Sequence, residues 1–110
     1  MDSLLVITNL PDRESAEKLA ILLIERRLAA CVNILAPCSS VYRWQGEIQH
    51  DEEHPLLIKT VTERYAELEA SIRANHPYEL PEIIAVSMVR GLPAYLQWVE
   101  AETQSKDERD

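Results

Sequence analysis

The densest chemistry in the chain lies in His76-Pro77-Tyr78-Glu79-Leu80-Pro81-Glu82, where two prolines hold an imidazole, a phenol and two carboxylates within seven residues. A loop stiffened in this way can present metal ligands, a proton carrier or an aromatic wall at fixed spacing. The same prolines also suit a scaffold role, in which they close a helix and start a strand, His76 caps the helix end and Glu82 meets Lys59 in an ion pair. The residues alone allow both readings.

Other candidates are weaker. His50-Asp51-Glu52-Glu53-His54 has the donor types of a divalent-ion site. On a strand, however, the two histidines lie about 13 Å apart, so only His50 with Glu52, or a bulged geometry, could chelate. A solvated hairpin arm whose charges prevent edge pairing is the simpler reading. Cys31, inside Leu28-Ala29-Ala30-Cys31-Val32-Asn33, reads as a small buried hydrophobe, and Cys38, beside Pro37 and Ser39, as the more accessible thiol. They are seven apart on what reads as one extended strand, on opposite faces, so no internal disulfide is expected. Lys59 falls inside the apolar run 56–60 and needs a polar partner, which places it in a polar cleft between subunits. Glycine-rich phosphate loops, Ser/His/Asp sets and CxxC pairs are absent, so the chain does not read as an enzyme.

Composition narrows the partners. The 110 residues suit one domain, with an ordered core over about 4–102 and a polar, frayed tail from Thr103 to Asp110. Nineteen acidic against eleven basic side chains leave a net charge of −8, which repels phosphate backbones and anionic lipid heads. Neither nucleic acid nor a membrane is expected as partner. No apolar run approaches the roughly 20 residues that span a bilayer, and Met1 to Ile7 has no basic n-region. A cytoplasmic protein is expected.

These candidates must be held by elements whose order is legible. Leu4 to Thr8 reads as a buried strand, and Ala16, Leu19, Ala20, Leu23 and Ile24 as one face of a helix over about 12–27. Ala30 to Trp44 and Ile48 to Val61 read as a hairpin with long arms turning at Gln45-Gly46, with Pro37 and Pro55 marking bends or bulges where each arm leaves the main sheet. Thr62 can cap a second helix carrying Tyr65, Leu68 and Ile72, which stops before His76-Pro77. Ile83 to Val89 reads as a second buried strand, and Pro93 opens a short helix through Glu102.

The order predicts an α+β fold, ferredoxin-like βαββαβ with a long hairpin between its second and third strands and a C-terminal helix, the helices covering one sheet face. Apolar residues of both parities, Leu56 and Ile58 against Leu57, Ile83 and Ala85, predict that a second copy covers the other face. Arms of about 15 residues reach roughly 50 Å, beyond the width of about 35 Å expected for so small a domain. The hairpin must project or curl. Its far end carries Val41, Tyr42, Trp44 and Ile48, so Tyr42 and Trp44 are expected at an interface.

Five blocks in order, LAACVN (28–33), SVYRWQGEI (40–48), IKT (58–60), HPYELPEI (76–83) and YLQW (95–98), resemble the CutA divalent-cation-tolerance family over about residues 4–102. The resemblance implies a ferredoxin-like fold, a stable homotrimer similar in architecture to PII signalling proteins, and binding of copper or other divalent cations. The copper ligands it implies fall at Ile7, Asn75 and His76, of which His76 alone keeps a ligating side chain. What is left is a metal site between subunits using His76 with Glu82, or with Glu79. A second reading is a PII-like sensor or scaffold whose intersubunit cleft, lined by Lys59, Tyr78, Glu79 and Glu82, takes a small molecule or a protein partner.

Overall fold

A computed structural model describes residues 2–105. Ser3–Leu10 forms β1, Arg13–Glu25 α1, Cys31–Ile34 β2, Cys38–Trp44 β3 and Glu47–Val61 β4. A 3-10 turn at Thr62–Arg64 leads into Tyr65–Asn75 (α2), followed by Ile84–Ser87 (β5) and Pro93–Glu102 (α3). The main sheet runs β2-β4-β1-β5 with every neighbouring pair antiparallel, and β3 pairs with β4 beyond it. This is the ferredoxin-like α+β order.

The hairpin projects. β4 is one unbroken strand of 15 residues whose later half pairs with β1 and β2 and whose earlier half pairs with β3. The molecule is correspondingly elongated, at 50 × 27 × 22 Å. Trp44 and Glu47 face each other across a two-residue turn, with Gln45 at φ 51° and Gly46 at φ 83°. Positive φ at both positions gives the turn the twist that matches its strands.

The core lies between the sheet and two helices. Val6, Leu10, Leu56 and Ile58 alternate onto one sheet face and bury against Ala16, Leu19 and Leu23 of α1 and Leu68 and Ile72 of α2. The Asp12 carboxylate caps α1 by accepting the Ser15 N–H at 2.7 Å, a bond that holds its pKa below the usual value. At the other end Leu28 N–H reaches Leu23 O and Arg27 N–H reaches Ile24 O, with Arg27 at φ 57°. This is a Schellman closure built without glycine.

Several expectations change. α1 is shorter than 12–27, and Ile24 stays 42 % exposed because the helix turns it past the core. The long second strand is two strands separated at Leu35-Ala36-Pro37. Pro37 and Pro55 do mark a bulge where the arms leave the main sheet: the three residues between Ile34 and Cys38 oppose the two between Glu53 and Leu56, and the Pro55 carbonyl accepts from Leu35 N–H at 2.9 Å. Thr62 caps nothing; its N–H and hydroxyl both donate to Asp2 O. β5 is shorter than Ile83–Val89 and exposed throughout, as the outermost strand beside β1.

The helices do not all share a face. α3 packs against β1 and β4 on the side of Cys31, bringing the Tyr95 phenol near that thiol, and Val61 and Val99 are buried on this side. The rest of that face keeps Ile84 and Val86 half exposed, across from Ile7 and Leu5. Thr103 is buried, not frayed, because its hydroxyl donates to Val99 O at 2.8 Å; residues 106–110 lie outside the described residues. Among the described residues no helix is long and apolar enough to cross a membrane.

Two substitutions test this account in urea unfolding at one fixed protein concentration. Ile58→Ala removes a fully buried side chain and should cost about 2–5 kcal/mol. Gly46→Ala has open space around its new methyl, so its cost should be the left-handed backbone alone, about 1 kcal/mol.

Candidate functional site

The loop between α2 and β5 is bound to the end of β1 through one residue that sequence reasoning overlooked, Asn9. Pro77 forces His76 out of helical geometry, to φ −100° and ψ 135°, and so turns its ring toward the sheet. His76 Nε2 lies 2.6 Å from Asn9 O, and His76 Nδ1 accepts the Tyr78 N–H at 3.2 Å. A carbonyl only accepts and an amide N–H only donates, so the ring is neutral with its proton on Nε2. Burial pushes its pKa below the usual value, outweighing the opposing pull of Asn9 O and Glu53. Asn9 Nδ2 in turn donates to Glu82 Oε1 at 3.3 Å. Asn9 thus joins His76 and Glu82, the two expected metal ligands, with its backbone and its side chain.

Beside this knot the projecting hairpin and the loop enclose a cleft of about 650 Å³. Tyr42 and Trp44 of β3 form one side, Tyr78, Glu79 and Glu82 the other, and Glu53 of β4 part of the lining. Glu53 is only 8 % exposed and lies close enough to the Tyr78 phenol to act on its titration. Burial first, then the Glu53 charge, pushes the Tyr78 phenol far up, so it stays protonated. Tyr42 donates its hydroxyl to Asp51, which raises its pKa as well. The Tyr78 ring also packs on His76 with centroids 4.8 Å apart.

Lys59 is not in this cleft. It sits opposite Leu5 and Cys31, donates to Asn33 Oδ1 and lies 3.9 Å from Cys31 Sγ. Leu5 is four residues from Asn9 along β1, about 13 Å. Within one chain Lys59 is therefore apart from Tyr78 and Glu79, and Glu82 meets Asn9 where a bond to Lys59 was expected. Cys31 and Cys38 are free thiols on separate strands, Cys31 half-buried and Cys38 exposed. His50 is exposed on the hairpin, while His54, opposite Leu10, leaves Nδ1 buried without a partner. Ile7 faces Leu57 and Ile84 across the sheet, and the Asn75 side chain donates to Ser71 O at 2.8 Å. Among the described residues no three His, Cys, Asp or Glu side chains gather to hold an ion.

Fold and loop together define an α+β domain with a projecting hairpin and an acidic, aromatic cleft. Residues 4–102 match the family model described as CutA1 divalent ion tolerance protein. The chain is 44 % identical over 103 residues to the divalent-cation tolerance protein CutA of Thermus thermophilus, covering 94 % of this chain and 99 % of that one. It is 40 % identical over 103 residues to the chloroplastic protein CutA of Arabidopsis thaliana, covering 94 % of this chain but 57 % of that longer protein. Among solved structures it is similar to CutA from Xylella fastidiosa, with TM-score 0.92 and 43 % identity over 94 % of this chain and all of the other. The chain belongs to the CutA1 divalent ion tolerance family.

The His76 geometry predicts a pH dependence. Its folded pKa lies below the unfolded 6.5, so protonation favours the unfolded chain. The His76 contribution should be intact above pH 6.5 and decline as pH falls from there through the folded pKa. Comparing urea midpoints from pH 7.5 to 5, His76→Gln should show a shallower loss than wild type.

Proposed function

We propose that this protein acts as a homotrimeric CutA-type protein of the cytoplasm, holding copper or another divalent ion at clefts between subunits and taking part in the response to metal ions. It carries out no catalytic step in this reading. The observation that carries it is the incomplete donor set around the loop. His76 and Glu82 are both bonded to Asn9, and Glu79 and Glu82 line the adjoining cleft, yet among the described residues no three such side chains gather on an ion. Completing the shell therefore calls on a second copy.

Exposed apolar surface supports that assembly. Val41 and Ile48 near the hairpin tip are 62 % and 63 % exposed, and Val89 beyond β5 is 87 % exposed. Leaving them in water is unfavourable by about 25 cal/mol per Å² of apolar area, which a neighbouring copy would recover. Because both ring nitrogens of His76 are already bonded, an ion there displaces Asn9 O or the Tyr78 N–H, whereas Glu79 and Glu82 offer oxygens more readily. This favours weak binding and oxygen-preferring ions over a tight copper centre.

A second reading, a PII-like trimeric sensor or scaffold, is supported by the cleft's size. Its volume of about 650 Å³ exceeds what a bare ion requires and falls in the range of small-molecule sites.

Two measurements test these readings. Light scattering at micromolar concentration should return three times the mass of one chain; a monomer would end the intersubunit model. In calorimetric titration with Cu(II) and Zn(II), the wild type should bind more ion than a His76→Ala, Glu82→Ala double variant, and equal binding would remove this site.

A further inference from the structure

We propose that the cleft between the hairpin and the 76–82 loop is a receptor for small organic cations, amines or quaternary ammonium groups, gripped by Trp44, Tyr42 and Tyr78 over the Glu53 carboxylate. This rests on the small-molecule reading above and names its ligand class.

Three observations lead there. The walls are aromatic: Tyr42, Trp44 and Tyr78 come from two separate elements and face one cavity. In the single chain Trp44 and Tyr42 remain 38 % and 40 % exposed beside the cleft, so cation binding requires that the oligomer leave these ring faces open. Aromatic faces attract a cation through the ring quadrupole, most strongly for tryptophan and where water is excluded.

The floor and rim are negative. Glu53 is nearly buried, the neighbouring Tyr78 is a neutral phenol, and Glu79 and Glu82 add two more carboxylates to the lining. Among the described residues no lysine or arginine lines the cavity to balance them. An anionic or neutral ligand would leave the nearly buried Glu53 charge uncompensated, whereas a cation offsets it.

The cavity also suits bulk over coordination. A metal ion needs several donors at about 2–2.6 Å, and no three convergent side chains are found among the described residues. An ammonium bearing carbon substituents needs no such shell; its charge is diffuse and its apolar surface packs against rings. Tyr42 is held by its hydroxyl bond to Asp51, and Tyr78 by its backbone bond to His76 Nδ1 and its ring contact with His76, so both rings are oriented before a ligand arrives.

The test uses the full chain in its native oligomer with tetramethylammonium as probe and tert-butanol as a neutral group of similar shape. A Trp98→Phe background leaves Trp44 as the single tryptophan. Tetramethylammonium should quench Trp44 fluorescence saturably, and tert-butanol should bind at least about tenfold more weakly. By calorimetry, Glu53→Gln and Trp44→Leu should each weaken tetramethylammonium binding about tenfold, while Tyr78→Phe, which keeps the ring, should stay within about twofold. Should Glu53→Gln fail to fold, the exposed Trp44→Leu still decides. Equal binding of both probes would overturn the cation assignment and leave a small-molecule cleft standing. A structure of the oligomer with a neighbour's side chain filling the cleft, or no saturable binding of either probe, would overturn both. Excess Zn(II) that displaces the probe would place the ion in the same cleft, and tetramethylammonium binding unaffected by Zn(II) would place the organic cation at a site of its own; either result upholds the assignment.

Discussion

The architecture depends on one strand being shared by two structures. β4 runs 15 residues without interruption, and a strand that long exceeds the width of the layered domain it starts from. Its Pro55 to Val61 half belongs to the main sheet, locked by β1 on one side and β2 on the other, and is buried in alternation. Its Glu47 to Glu53 half has β3 alone for a partner. The hairpin is therefore held rigidly at its base by the core and left apolar and uncovered at its tip, which is the geometry of an arm that reaches toward another molecule.

The cleft follows from the same constraint. Where the shared strand leaves the main sheet, Glu53 is carried out of the core but not into free solvent, and the loop after α2 closes over it with Tyr78. Asn9, at the end of β1, fastens that loop from below through His76 and Glu82. Pro77 and Pro81 reduce the loop's freedom before it folds, so little further ordering is lost when these bonds form. Burial favours the uncharged forms of both ring side chains, His76 as a neutral imidazole and Tyr78 as an intact phenol.

The second sheet face records what one chain leaves unfinished. α3 covers the end near Cys31 and Val61, and the far end retains Ile84 and Val86 in water. β5 pairs with β1 on one side alone and is exposed along its whole length. Its apolar sequence suits a covered strand, and its solitary exposure in one chain is the clearest physical motive for association.

Much of this was legible in the amino-acid order, because it follows from local periods and breaks. Short apolar runs marked the strands that carry Val6, Leu56 and Ile58, helical spacing marked Leu19, Leu23, Leu68 and Ile72, and Gln45-Gly46 located the turn from backbone preference alone. The family was legible too, in the five ordered blocks. What escaped were matters of distance in space. Asn9 carried no local signal, since its role depends on β1 ending beneath a loop 67 residues away. Lys59 and Glu82 looked like partners by charge, and sheet register kept them apart. Thr62 and Thr103 looked like a cap and a frayed end, and long-range carbonyls and helix packing gave them other work. The sequence by itself determined the elements and their order, because propensity and periodicity act between near neighbours; only the tertiary structure decided which side chains meet, because register, twist and the reach of β4 are properties of the assembled sheet.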